Sequence, residues 1–460
     1  MSYPAQYNLY GYQLFHPDRQ NSALVVLVCM ALSGLLYSSG AETQPASPRN
    51  DQRQHLGVAS CASSVCHGSV QPYEDSRIQQ NEFITWQTDR HGNMHAKAFA
   101  KLLTPEAQSM ARKLNIGPAE QASQCLTCHT DFVAEESRGE EFQLSDGVSC
   151  EACHGGGGDY LDSHTRQTMS LVDKAGDGLF PTWQPERRAI LCLSCHLGIT
   201  GQRMTHRIMG AGHPRLQFEL DTFTYLQPHH VVDEDYLERK GRQDNARDWA
   251  LGQALAAAQS MDLLQDQEYG WRGIFPEPLL LDCHSCHKRM DQNRWQARAG
   301  TGLGPGEMRL NDSNLVMLRL IMSAIDPGLG RSIRDHTRQL HLASTRSRQD
   351  LLQEAARLRS IIDKAVPKIA GHEFSNPDLQ QVIGALIAEA RAGELTDYAA
   401  AEQAAMAAVN LVVAFEKTGL LEKGAFEKEL DQVFAAVADE YNYQAAHLVT
   451  AMSQLRNSLR

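Results

Sequence analysis

The chain is poor in aromatic residues, which make up 7% of it, and in cysteine, with eleven in 460 residues. So low a cysteine density excludes a disulfide-stapled scaffold, in which crosslinks stand in for a hydrophobic core. Basic charge is also short: 43 Lys and Arg face 55 Asp and Glu, giving a formal charge of −12. That deficit argues against nucleic acid as the main partner and leaves basic proteins or small molecules. Beyond Leu36 no apolar run reaches the roughly 20 residues a membrane helix needs, which excludes a multi-spanning membrane protein. The 42% hydrophobic and 21% charged content excludes wholesale disorder. The length suits two or three compact units.

What the chain does have is concentrated around its cysteines. Ten of the eleven form five pairs, each followed at once by histidine: Cys61/Cys66 before His67, Cys125/Cys128 before His129, Cys150/Cys153 before His154, Cys192/Cys195 before His196, and Cys283/Cys286 before His287. Four read C-x-x-C-H, while the first, CASSVCH, has four intervening residues. A random chain of this composition would hold roughly 0.01 copies of C-x-x-C-H, so chance is excluded. Two thiols about one helical turn apart can add to the two vinyl groups of one haem, and the next histidine then lies under the iron as its proximal ligand. Zinc ribbons do not require histidine after each second cysteine, and thioredoxin-like pairs come singly in a strand-to-helix setting. The expectation is five covalently attached haem c groups, held by those ten cysteines and ligated by His67, His129, His154, His196 and His287.

The start of the chain points to a compartment. Ala23 to Leu36 (ALVVLVCMALSGLL) is an apolar run of fourteen, followed by the small residues Ser38, Ser39, Gly40 and Ala41. Residues 1–40 are therefore expected to be a secretory signal, with an uncleaved anchor as the alternative. The unpaired Cys29 sits inside this run as an ordinary leader residue. Thioether attachment follows export in bacteria, so the expected location is the periplasm or cell surface, with possible membrane association through the N-terminal segment.

Composition then divides the chain. Residues 41–56 read as a polar linker, 57–306 as a pentahaem domain of brief helical runs with little regular sheet, and 307–460 as a C-terminal helical domain, for a mainly α fold. Helices are expected over Ser313–Ile325 with a stop at Pro327, along Leu351, Ala355, Leu358 and Ile362 to Pro367, and from an Asn376 N-cap to Gly393. Two more are expected from near Thr396 to Gly419 and along Phe426, Leu430, Val433, Phe434 and Val437, together forming a bundle.

Histidine exceeds what the motifs consume. Of nineteen, nine non-motif histidines lie in the haem region: His55, His91, His95, His164, His206, His213, His229, His230 and His284. A low-spin electron-transfer haem takes a sixth ligand, usually imidazole. His213 ranks first between the fourth and fifth motifs because Gly212 and Pro214 can fix its backbone; His206 and His230 are further candidates.

The motif order resembles the tetrahaem cytochrome c554 family. The resemblance rests on Trp86 ahead of MHAKAFAKLL, on GVSCEACHGGGGDYLDSH around the third motif, and on CLSCHLG at the fourth. It covers about residues 57–200 and implies His95 and His164 as distal ligands, with a five-coordinate iron at the motif Cys125/Cys128/His129. The CASSVCH spacing, the fifth motif and the long helical tail depart from that family. The expected function is electron transfer through mostly bis-His haems to redox partner proteins: other cytochromes, quinol-linked or periplasmic oxidoreductases. The alternative is an enzyme acting on a small nitrogen or sulfur species at a vacant iron. No C-x-x-C-K motif is present, which weighs against the ammonia-forming nitrite reductases.

Overall fold

The computed structural model describes residues 47–459, apart from 74–77, 89–93, 167, 200, 203, 231, 242–243, 267–275 and 288–297. The leader with Cys29, and also His91, lie outside the described residues. The fold is mainly helical, and the described residues contain no sheet, only the isolated bridges His55–Arg138, Ile199–Gln202 and Leu281–Leu310.

The first half is built of short helices joined by turns: α1 (Glu82–Thr88), α2 (Ala98–Leu102), α3 (Pro105–Leu114), α4 (Ser123–His129), α5 (Cys150–His154), α6 (Leu171–Gly176), α7 (Pro185–His196), α8 (His206–Ala211), α9 (Leu220–Leu226) and α10 (Glu234–Lys240). Its apolar clusters are small: Leu102, Ala111, Ala119 and Leu126 form one, and Ala189, Leu193, Phe218, Leu220 and Ala256 another. Polar joints hold much of this half together. Glu151, buried, accepts from the backbone N–H of Leu56 (2.8 Å), Gly57 (2.7 Å) and Gly157 (2.7 Å). Residues 47–56, expected as part of a linker, are instead packed in, with Pro48 and His55 buried. His55 donates from Nδ1 to Asp131 Oδ2 at 2.8 Å. Gly155 to Gly158 serve this packing: a Cβ on Gly155 would lie 2.8 Å from the Gly178 carbonyl oxygen, and one on Gly156 2.8 Å from that of Gln54.

The second half is a bundle of α11 (Asn245–Gln265), α12 (Ser313–Ile325), α13 (Pro327–Ser344), α14 (Arg348–Ala370), α15 (Asn376–Ala392), α16 (Tyr398–Lys417), α17 (Glu427–Ala435) and α18 (Ala445–Ser458). One apolar cluster runs through all of them, with Trp249, Leu251, Ile321, Ile333, Leu358, Leu386, Leu411, Val433 and Leu455 buried. The helix α11 was not foreseen. It is buried on nearly all sides, so it shows little amphipathic period, and it enters the bundle core from before the boundary expected at residue 306. Pro327 does not merely stop α12; it opens α13 at the first turn, where its missing N–H is harmless, with Asp326 accepting from Leu329 N–H at 3.0 Å. α14 continues past Pro367 to Ala370 because Ile369 is anchored in the core. The N-cap of α15 is Ser375, not Asn376, and forms a capping box with Asp378. α16 is long and apolar enough to cross a membrane, but 78% of that stretch is buried inside the bundle, consistent with a core helix.

The fifth motif is tied to this bundle. Asp282 N–H donates to the Arg309 carbonyl at 2.8 Å, Asn311 N–H to that of Leu280 at 2.9 Å, and Arg309 Nη2 to Asp282 Oδ2 at 2.9 Å. Arg298, buried, bonds Asp312 (2.6 Å) and Asp397 (2.7 Å), with Glu394 at 3.4 Å.

Candidate cofactor-attachment sites

The second, third and fourth motifs end helices α4, α5 and α7, and each motif histidine is the last helical residue. A helical C-x-x-C puts both sulfurs on one face, one turn apart, and directs the following imidazole beside them. The first motif forms a turn over residues 61–67, accommodating its longer spacing, and the fifth a 3-10 turn at Cys283–Ser285. All ten cysteines are unpaired thiols.

The ten do not share one environment. Cys61, Cys125, Cys128, Cys150, Cys153, Cys192, Cys195 and Cys283 are half-buried, whereas Cys66 and Cys286 are exposed. The cause is local geometry. Neither of these two motifs ends a regular helix, so the second sulfur is not held on the inward face beside the first. Cys66 follows the exposed Val65 in its turn, and Cys286 lies just past the 3-10 turn, with Sγ 3.7 Å from Sδ of the exposed Met308. The structure thus encloses one cysteine of each of these motifs, Cys61 and Cys283, and leaves Cys66 and Cys286 at the surface.

Each motif histidine faces a second histidine from elsewhere in the chain. Ring centroids are 6.2 Å apart for His67/His164, 6.3 Å for His129/His213, 6.1 Å for His154/His229, 6.3 Å for His196/His95 and 5.9 Å for His287/His206. Rings bonded through nitrogen to one metal ion, at about 2 Å on each side, are separated by roughly 6 Å. Parallel stacking does not account for the spacing, since four of the five pairs are inclined by 39° to 84°.

The hydrogen bonds orient these rings. His67 Nδ1 pairs with Glu82 Oε2 at 2.9 Å, His129 Nδ1 donates to the Ala98 carbonyl at 2.8 Å, His164 Nδ1 to that of Tyr160 at 3.0 Å, and His213 Nδ1 to that of Pro214 at 2.8 Å. Anchoring Nδ1 fixes the tautomer and leaves Nε2 free to ligate. Burial holds His154 down to about 3 and His95 to about 4, and lowers His129, His164, His196 and His229 as well, so each is the neutral imidazole a metal needs. His67 moves the other way because of its bond to Glu82.

Local backbone explains how His95 arrives. Val148 N–H, in the third motif's G-V-x-C block, donates to the His95 carbonyl at 3.0 Å. Gly147, at φ +75°, lies so close that a Cβ would sit 2.6 Å from that oxygen. The glycine of the block thus permits the contact that positions His95. His206 opens α8 and His213 follows its end, so one short helix presents a histidine to two motifs. Sulfurs of different motifs also come together: Gln202 Nε2 lies 2.9 Å from Cys195 Sγ and 3.7 Å from Cys128 Sγ, so one amide spans the second and fourth motifs.

Among the histidines one expectation is redrawn. The ring opposite His154 belongs to His229; His230 stacks instead on Tyr236, with centroids 4.9 Å apart and planes at 23°. The two rings meet edge to face, 5.0 Å apart at 87°, with that of His229 turned to His154 and that of His230 to Tyr236. Nothing in the dipeptide distinguishes them. His55 is taken by Asp131, and His284 meets the ring of Tyr398. The implied open position at His129 is also met differently, since His213 faces that ring.

Thiol pairs next to a histidine that ends a helical turn define a c-type cytochrome, the class that carries haem c bound covalently through cysteine. Residues 60–155, spanning the first three motifs, match the family model of cytochrome c554 and c-prime, and the chain is cytochrome c554-like in that segment. No curated protein and no solved structure matches the chain. The residues present fit the cofactor: each motif offers two thiols, an adjoining imidazole and a second imidazole opposite it, with one thiol facing solvent in the first and fifth motifs.

Proposed function

We propose that the protein is an exported electron carrier holding five haem c groups, each with two histidine ligands, that passes electrons between redox partner proteins of the periplasm or cell surface. The observation that supports this best is that all five motif histidines are faced by a second imidazole at 5.9–6.3 Å. Haem supplies one-electron chemistry at low potential when both axial ligands are imidazole. The chain's own contribution is to fix those imidazoles through Glu82, Ala98, Tyr160 and Pro214, to keep most of them neutral by burial, and to join cysteines of the second and fourth motifs through Gln202. Attachment through Cys66 and Cys286 belongs to the same proposal. A thioether needs a sulfur within reach of a vinyl group, not an enclosed one, and the exposure of Cys66 and Cys286 is compatible with bonds at the edge of the first and fifth sites. His213 opposite His129 weighs against an enzyme that needs an open iron there. The acidic residues Glu135, Glu136, Glu140 and Glu141 suit docking of a basic redox partner.

Electron paramagnetic resonance of the purified protein, with haem quantified per chain, tests the reading. Five haems and a low-spin spectrum are expected. A majority of high-spin irons, or a spectral shift with nitric oxide accompanied by turnover of nitrite or hydroxylamine, overturns it in favour of a catalyst.

A further inference from the structure

Three attachment motifs converge on one guanidinium. Arg49 lies upstream of the segment that matches the family model, so the resemblance assigns it nothing. Its Nη1 donates to the carbonyl of Thr127, between the two cysteines of the second motif, and lies 3.4 Å from Cys195 Sγ in the fourth. Cys128 and Cys153, the second cysteines of the second and third motifs, are near enough to interact with its charge. Its Nε is buried without a hydrogen-bond partner among the described residues. Asp131, whose charge acts on Arg49, directs Oδ2 to His55 (2.8 Å) and to Ser149 Oγ (3.2 Å) rather than to the guanidinium. Such an arrangement is poorly explained as an ion pair made for stability, because a buried charge with an unpaired N–H costs free energy.

We propose that Arg49 sets reduction potential: it is a permanent positive charge placed at the thioether ends of the second, third and fourth sites, which makes reduction of the cofactor bound there more favourable. The inference rests on the reading of the motifs as haem sites. Reduction adds one electron to a cofactor from the redox partner, and a fixed cation nearby stabilises the added negative charge. The effect is strong where water is excluded. Arginine suits the role because it does not lose its proton under any ordinary condition, so the bias is constant with pH. Arg49 touches no ligand imidazole in this arrangement and acts through its field; it is a positioning residue for charge, not a catalytic one.

The test is a spectroelectrochemical titration of the haem-loaded protein and its Arg49→Gln, Arg49→Lys and Asp131→Asn variants. In Arg49→Gln at least one of the five steps is expected to fall by about tenfold in its equilibrium constant, which is 59 mV for one electron. The low-spin spectrum is unchanged, because no ligand is touched. Arg49→Lys keeps the charge and titrates close to the parent. Asp131→Asn removes the opposing charge and moves the same step upward. A fully loaded Arg49→Gln protein that titrates like the parent overturns the proposal, as does an Arg49→Lys variant that falls as far as Arg49→Gln. If Arg49→Gln does not load, the absence of an upward shift in Asp131→Asn overturns it instead. Failure of the haem reading itself is separate and shows in the parent protein, as a haem count other than five.

Discussion

His229 and His230 offer a test of the ligand geometry at single-residue resolution. The His229 ring lies 6.1 Å from that of His154, whereas His230 is held against Tyr236 at 4.9 Å. His230→Ala should therefore leave every iron six-coordinate and cost only the ring contact, about 0.5–1.5 kcal/mol. Removing the imidazole opposite His154 vacates one of five sites, so about 20% of the total iron should turn high-spin. The rings of His229 and His230 are 5.0 Å apart, close enough for His230 to swing in when its neighbour is lost. The full 20% is accordingly expected in the double variant, and up to that amount in His229→Ala. Low-temperature electron paramagnetic resonance, integrated against haem content, gives the fraction directly. A high-spin signal from His230→Ala alone, or a double variant that stays low-spin, would refute the assignment and with it the use of centroid spacing as the guide to ligation.

Other consequences are checked independently. The planes of His67 and His164 are inclined by only 19° and those of His287 and His206 by 39°, against 64°, 68° and 84° for the pairs at His154, His196 and His129, so the resonance spectrum should contain a minority of rhombic low-spin signals among signals of high anisotropy; five alike would contradict the ring orientations. Gly147→Ala forces a Cβ to 2.6 Å from the His95 carbonyl at φ +75°, costing about 1–2 kcal/mol and displacing His95, so one site should gain high-spin character while haem content is kept. Arg298→Ala strands Asp312 and Asp397 in the interior and should lower stability by about 3–5 kcal/mol in denaturant unfolding; a loss under about 1 kcal/mol would show the cluster to be hydrated. Burial alone would lower His55, but its bond to Asp131 and its ion pair with Asp51 at 3.7 Å outweigh that and raise it to about 10. Its stabilising contribution is thus complete below the unfolded value near 6.5, at most about 5 kcal/mol, and is lost as pH rises towards 10; His55→Gln should abolish this alkaline loss.

The candidate attachment residues are legible because the covalent chemistry they suit would fix their spacing, and no fold has to be known to read C-x-x-C-H. Their surroundings were not: spacing treats all ten cysteines alike, while the turns around Cys66 and Cys286 leave those two outside the packed interior. The bundle was legible where a helix shows one face to a core, as in α14 and α15, and where stop residues mark the end of an apolar run, as Pro327 does after α12 and Gly419 after α16. It was not where a helix is buried all round, as α11 is, because the period of 3.6 vanishes when both faces are apolar. The histidines that face the motif imidazoles were half legible. Resemblance implied His95 and His164, and local backbone pointed to His213, yet the choice between His229 and His230 depends on which ring the chain turns towards His154. Arg49 carried no signal at all: a lone arginine in a polar stretch acquires meaning only when Thr127 and Cys195 are brought to it from 78 and 146 residues away.

That stretch changes how the first half of the molecule is understood. Asp51 accepts from Gly156 N–H at 3.2 Å, His55 bonds Asp131 at 2.8 Å, and Leu56 and Gly57 bond Glu151 at 2.8 and 2.7 Å, so residues 49–57 touch the second, third and fourth motifs in turn. With only small apolar clusters between the motifs, burial of side chains alone cannot fix their relative positions. Directional bonds to charged groups can, because each tolerates only a narrow range of distance and angle. The same residues that look like a linker by composition therefore act as a strap across the attachment sites. Because the strap is polar, it also brings charge to those sites, and under the proposal for Arg49 the spacing of the sites and their potentials become two consequences of one segment.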